Sequence, residues 1–394
     1  MTDKNIPFSE GEFKRRLTKT RHAMEVAGID VLFVTDPSNQ NWLTAYDGWS
    51  FYVHQGVLVF PDQDPVWWGR RMDANGGFRT VWMSDDRVLG YDDRYVQSTT
   101  CHPMQDLAAR LRDMGRATGR IGIEMDNYYF SAKAFEVMQA EMGDATFVDA
   151  TYLVNWQRSI KSDEELAFMR KAATISEKIV DGWLERVEPG VRKNEIAASI
   201  FQDAISGVGD AWGDYPALLP LLPSGKDASA PHLTWDGREF QRGEATFFEI
   251  SGVYRRYHTP FCRTLFLGKP GDDIRRAEAA LVEGLEAGLD AARAGNRTAD
   301  IANALAGPLE RAGIERGARC GYGIGLAYPP DWGEHNASLR AEDETILQPG
   351  MTFHFMPGLW MDDWGLEITE SILIREDGPA ETFCNRPRKM FVKD

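Results

Sequence analysis

Cysteine is scarce in this chain. Its 394 residues include four, Cys101, Cys262, Cys320 and Cys384, set far apart and with no CxxC pair. That excludes a disulfide framework as the basis of the fold, and reduced thiols in a cytoplasmic protein are the expectation. Basic residues are in deficit as well: 44 Lys and Arg stand against 60 Asp and Glu, a net charge of −16. Nucleic acid and anionic membrane both need basic surface, so neither is expected as a partner. No apolar run is long enough to span a bilayer, and the opening MTDKNIPFSEGEFKRR has no apolar stretch fit for a signal peptide. Low-complexity segments and strong internal repeats are also missing. What is there is ordinary for a soluble globular protein, 43% apolar and 26% charged. The length exceeds a single core, so two domains are expected. Twelve Trp residues are more than average, and packing accounts for most of them.

The first half alternates helices and strands. Ser9-Glu10-Gly11-Glu12 has the pattern of a capping box opening a helix towards Gly28. Val31-Leu32-Phe33-Val34-Thr35 reads as a buried strand ended by Asp36-Pro37, Gly56–Phe60 and Pro65–Trp68 as a hairpin pair, and Ile121–Glu124 as a later strand. This predicts a small α/β domain over residues 1–155 and a second domain over 156–394. Ser162 with Glu165 forms another capping-box pattern, starting a helix whose apolar face includes Leu166, Met169, Ala173 and Val180, stopped by Glu188-Pro189-Gly190. Helices near 193–205, 273–293 and 298–313 then alternate with strands near 247–267 and 351–375.

Four motifs follow in order along this second half. Glu249 lies on the apolar strand Ala245–Ile250, and eleven residues on stands Pro260, just before Phe261-Cys262-Arg263-Thr264. Gly321-Tyr322-Gly323-Ile324-Gly325, Met356-Pro357-Gly358 and Thr369-Glu370-Ser371-Ile372-Leu373-Ile374 come later. In order and spacing the set resembles the pita-bread family of methionine aminopeptidase, aminopeptidase P, prolidase and creatinase. The resemblance spans essentially the whole chain, including the Arg158-Ser159-Ile160-Lys161-Ser162 opening. It implies an α/β N-terminal domain plus an α+β pita-bread C-terminal catalytic domain of creatinase type. Family members bind two metal ions through two Asp, a His and two Glu. At those five positions this chain carries Glu249, Pro260, Tyr322, Met356 and Glu370. Two carboxylates are too few to hold such a pair, so no metal and no other cofactor are expected.

The resemblance also assigns chemistry. His232 falls where the family keeps a non-ligand His that shuttles protons, and is expected as an acid/base residue. Glu249 is a carboxylate on an apolar strand; buried without a metal, it must be paired with a cation or protonated. The bland alternative for it is a salt bridge to Arg263. With Glu370 it is expected to form a two-carboxylate site whose partner is a small cationic or zwitterionic substrate. His258 either contributes to the site or merely packs. His354, two residues before Met356, shares that residue's face and has the weaker case.

Creatinase resembles this pattern in binding a guanidinium with glutamates, but its carboxylate beside the Arg-Thr step is Cys262 here. A smaller amidinium, with two N–H donors, suits two glutamates better. Length, lost metal positions and Trp richness resemble the family's ectoine-hydrolysing members, which open a cyclic amidinium carboxylate to N-acetyl-L-2,4-diaminobutyrate. On that resemblance Glu249 attacks the amidinium carbon or activates water, His232 protonates the departing nitrogen, Glu370 holds the ring N–H groups and Tyr322 donates to developing charge or to the carboxylate. Met356 and Trp360 would line the pocket. Trp49 and Tyr52 belong to a loop that, in creatinase-like homodimers, reaches the partner's site; plain packing is the alternative for both. Arg70-Arg71 reads better as a surface pair than as a carboxylate clamp. A deacetylase would act on the product. The rivals are a creatinase-like amidinohydrolase, an Xaa-Pro peptidase, a dimethylsulfoniopropionate lyase and a pita-bread module that binds without catalysis.

Overall fold

In a computed structural model that describes residues 4–394, the chain divides into two compact units, one ending at Arg158 and the other starting at Ser159. The first opens with the helix Glu10–Ala27, where the Ser9 hydroxyl accepts from the Glu12 N–H at the N-terminus and Gly28, at φ 63°, closes the C-terminus. Its six strands are β1 (Val31–Val34), β2 (Gly56–Val59), β3 (Val66–Arg70), β4 (Val88–Tyr91), β5 (Gly119–Ile123) and β6 (Ala145–Asp149). They form one sheet in the order β4-β3-β2-β1-β5-β6. The β2–β3 pair is the expected hairpin, and β1 is antiparallel to β2 but parallel to β5. Both faces are covered, one by a cluster around Trp42 and Trp67 and the other by one around Trp68 and Leu107. This is why β1 and β2 are apolar at every position rather than at alternate ones.

The second unit starts with the helix Asp163–Arg186, and here both bonds of the capping box form between Ser162 and Glu165. Helices Lys193–Ser206, Asp272–Ala291 and Thr298–Arg311 follow the sequence expectation closely. The strands are β7 (Ala245–Tyr254), β8 (Tyr257–Leu267), β9 (Gly321–Ile324), β10 (Gly333–Ser338), β11 (Thr352–Phe355), β12 (Gly358–Trp360), β13 (Gly365–Glu367), β14 (Glu370–Leu373), β15 (Glu381–Thr382) and β16 (Phe391–Lys393). A five-stranded sheet runs β10-β9-β11-β14-β15, a three-stranded one β16-β8-β7, and β12 pairs with β13. The β7–β8 hairpin turns through Arg255 and Arg256, both left-handed at φ 52° and 66°. Non-glycine residues pay roughly 1–2 kcal/mol for that conformation. Arg256 is held there: its guanidinium lies 3.7 Å over the Tyr215 ring and 3.4 Å from Asp214.

Strand geometry then sorts the motif residues. Glu249 and Cys262 are register partners across β7 and β8, so their side chains share a face. Phe248 and Arg263, one residue along on each strand, point to the other. Phe248 stacks there on Trp183 from the helix Asp163–Arg186, with ring centroids 4.1 Å apart.

Candidate active site

Glu249 is buried, 5% exposed, and its backbone exchanges both hydrogen bonds with Leu221. Its carboxyl lies beside His354, with 3.8 Å between Oε1 and Nδ1. His354 does not supply a charge. Complete burial pushes its pKa down to about 3, and its nitrogens already meet the Tyr322 hydroxyl at 3.2 Å and the Thr369 hydroxyl at 2.8 Å. Trp332 Nε1 donates to the Tyr322 hydroxyl at 2.8 Å, which leaves the tyrosine's own proton to be donated to His354 Nδ1. Burial and the nearby Glu249 hold that proton on Tyr322 well beyond the usual phenol range.

Among the described residues no cation answers Glu249 inside this corner. Burial first, then the carboxylates of Glu367 and Asp331, raise its pKa well above the ordinary value. Glu367, 1% exposed at the end of β13, is pushed up to about 7 by burial, an effect the Cys262 thiol and the Arg316 charge partly offset. The thiol leans towards Glu367, yet neither carboxylate oxygen has a well-formed hydrogen bond among the described residues. Asp331 is tied elsewhere, 2.9 Å from His335 Nε2 and accepting from the Gly333 N–H.

Glu370 is placed differently from expectation. Its side chain meets Arg263 Nη2 at 2.5 Å and Arg388 Nε at 3.2 Å. The salt bridge considered for Glu249 is thus made by Glu370, because Arg263 projects from the face of β8 opposite to Cys262 and Glu249. His258 is held by backbone groups. Its Nε2 accepts from the Ala217 N–H at 2.9 Å, its Nδ1 meets the Arg256 carbonyl at 2.8 Å, and burial lowers its pKa to about 3. Neither nitrogen is left for a substrate. His232 is exposed, on the loop after the short helix Gly225–Ser229. That loop is tied to the site's edge by the bond from Leu222 N–H to the Thr234 carbonyl, next to the Leu221–Glu249 bridge.

Met356 is half-buried at the end of β11, its N–H donated to the Cys320 carbonyl. Trp360 packs with Leu221, Ala228, Phe247 and Cys262, and its Nε1 has no hydrogen-bond partner among the described residues. Trp49 and Tyr52 lie in the first unit, 56% and 62% exposed. Arg70, also there, is 2.6 Å from Asp93, a surface pair.

Glu367, Asp331, Trp332 and Thr369 were not singled out from sequence. The signal for Glu367 was available: an acid inside Gly365-Leu366-Glu367-Ile368 is as out of place as Glu249 on its apolar strand.

Residues 167–376 match the model of metallopeptidase family M24, and residues 16–160 that of the creatinase/prolidase N-terminal domain. The chain belongs to this pita-bread family of hydrolases. It is 55% identical, over the full length of both chains, to the ectoine hydrolase of Halomonas elongata. It is 38% identical to an uncharacterized hydrolase/peptidase of Sinorhizobium fredii, over 99% of each chain. Among solved structures, a dipeptidase from Pyrococcus horikoshii superposes with a TM-score of 0.80 at 21% identity, over 96% of this chain and all of the other. Such a likeness establishes the fold. The family's metal pair does not fit the residues present. Pro260 and Met356 cannot replace carboxylates, Glu370 is turned to two arginines, and no group of three or more His, Cys, Asp or Glu among the described residues could hold a metal ion.

Proposed function

We propose that this chain hydrolyses ectoine, opening the amidinium ring to N-acetyl-L-2,4-diaminobutyrate without a metal ion. Full-length identity of 55% to a named ectoine hydrolase supports the substrate. The observation that carries the chemistry is the buried Glu249, with no cation beside it among the described residues and a pKa raised by burial and neighbouring acid. An amidinium entering the corner supplies the missing positive charge, returns Glu249 to its ionised form and places the electrophilic carbon next to it. Glu249 then takes a proton from the water that adds to that carbon, or attacks it directly to give a covalent ester that water cleaves once the ring C–N bond has broken. His232 protonates the departing nitrogen from the loop beside Leu222. Tyr322 and His354 form the polar wall, Met356 and Trp360 the apolar one, the Trp face suiting a cation by roughly 0.5–2 kcal/mol.

Trp49 and Tyr52 are proposed to reach the site of the partner in a cytoplasmic homodimer. The acetamide released is the substrate of a deacetylase-class reaction.

The test is incubation of the wild type with ectoine, creatine and an Xaa-Pro dipeptide in chelator, followed by proton NMR, with Glu249→Ala as control. The expected result is acetyl-signal growth from ectoine alone and its loss by roughly 10²–10⁴-fold in the variant. Turnover that stops in chelator and returns with a divalent ion sinks the metal-free mechanism. Cleavage of creatine or the dipeptide alone sinks the substrate.

A further inference from the structure

We propose that Glu367, and not Glu370, is the second carboxylate that grips the substrate cation. Both oxygens of Glu367 are buried without a hydrogen-bond partner among the described residues, whereas Glu370 has Arg263 and Arg388 on one oxygen. An ionised carboxylate shut away from water and unpaired is strongly disfavoured. The site therefore stores an unmet demand for donors, and it does so next to Glu249.

The backbone around Glu367 is fixed while the side chain is left open. Its N–H donates to Thr264 Oγ1 at 2.8 Å, and the same hydroxyl donates to the Glu367 carbonyl at 2.9 Å. On the neighbouring strand it is paired with Gly358. Two residues earlier Gly365 lies so close to the Ala228 carbonyl that a Cβ there would come within 2.0 Å, so this strand cannot shift outwards. The charged and titratable groups around the carboxyl are Glu249, Cys262 and Arg316. Arg316 does not pair with it. Its guanidinium donates to the carbonyls of Gly358, Ala318, Arg319 and Met356, and so contributes charge at a distance but no hydrogen bond. A planar cation with two outward N–H groups, lying between Glu249 and Glu367, would satisfy one acid with each.

The inference rests on the amidinium reading above, and its test separates the two. Acetamidinium chloride and ectoine are titrated calorimetrically into wild type, Glu367→Gln and Glu370→Gln, with the melting temperature measured alongside. Glu367→Gln is expected to weaken both ligands about tenfold or more while melting no lower than wild type, because a neutral isostere removes the buried charge. Glu370→Gln is expected to keep affinity and to melt lower. If the wild type binds acetamidinium but does not hydrolyse ectoine, and Glu367→Gln loses that binding, the ectoine reading fails and this inference stands. Unchanged affinity in Glu367→Gln overturns it, as does a wild type that binds neither ligand. Should Glu367→Gln not fold, Glu367→Asp retracts the charge by one methylene, and undiminished affinity for acetamidinium in that variant overturns the inference equally.

Discussion

Two buried glutamates, one in each unit, share a pKa near 7 and differ in everything else. Glu124, 2% exposed, accepts from the backbone N–H groups of Thr35 and Asp36 and from Asn39 Nδ2, at 2.6–2.8 Å. Glu367, 1% exposed, accepts from nothing well aligned among the described residues. Burial raises both to about 7. A perturbed pKa therefore does not by itself mark a functional acid. The discriminating property is hydrogen-bond satisfaction: Glu124 closes the end of β1 onto the following helix, while Glu367 leaves two acceptors facing a second unpaired acid. Glu370 is a third case: one oxygen is buried without a partner among the described residues, but the other meets two arginines, and that ion pairing sets it apart from Glu367.

The strongest way to sharpen this contrast is to remove the cation from the paired acid. Arg263→Met should destabilise the second unit by about 3–5 kcal/mol, because Glu370 is left charged, buried and largely uncompensated. Denaturant unfolding measures this. Pairing the change with Glu370→Leu should recover much of the loss, since two apolar groups replace a buried ion pair at little cost. Failure of the double variant to recover would mean that Arg263 acts mainly through the carbonyls of Cys262, Thr369, Arg386 and Pro387, which it also binds.

Much of this placement was legible in the sequence. The Ser162–Glu165 capping box, the Gly28 helix end and the β2–β3 hairpin are local patterns, and the structure forms each of them. The burial of Glu249 was legible because its strand neighbours Phe247, Phe248 and Ile250 are apolar. Glu370 and Glu367 were not separable, for a geometric reason. Alternation assigns faces within a strand, but Ile368 and Thr369 lie between β13 and β14, so the phase of one strand cannot be carried to the other. Which acid Arg263 would reach depended on the face of β8, and every residue of β7 and β8 is buried, so polarity gave no clue to faces. His258 was ambiguous because its two partners are backbone groups, Ala217 N–H and Arg256 carbonyl, which no side-chain pattern announces.

Titration tests the likeness of Glu124 and Glu367 and then breaks it. The unfolded chain releases each proton near the ordinary 4.5, while the folded protein holds it to about 7. Within that window the native state binds more protons than the unfolded one, so stability is full below 4.5 and falls as pH rises towards 7. Every tenfold difference in proton affinity between the two states is worth about 1.4 kcal/mol. Glu367→Gln should remove its share of the slope and leave a protein at least as stable as wild type at pH 7. Glu124→Gln should also flatten the slope but lower stability, because an amide has one acceptor oxygen and turns an N–H donor towards donors that the carboxylate's second oxygen satisfies. Identical behaviour of the two variants in thermal melts across pH 4–8 would dissolve the distinction between them.

The smallest effect expected is at His258, which sits near the same corner but on the satisfied side of the contrast. Its imidazole fastens the Ala217 N–H to the Arg256 carbonyl, and a pKa near 3 keeps it neutral throughout the working range. His258→Phe keeps the volume and leaves the Ala217 N–H without its partner, while the Arg256 carbonyl still accepts from the Ala327 N–H, a loss of about 1–3 kcal/mol. The variant should melt earlier, yet turn over ectoine at temperatures well below its transition with kcat within a few-fold of wild type. Its pH profile should be unmoved, since no proton is exchanged at this residue between pH 5 and 8. A kcat loss comparable to that of Glu249→Ala, with the melting temperature intact, would place His258 with the unpaired acids and not with Glu124 and Glu370.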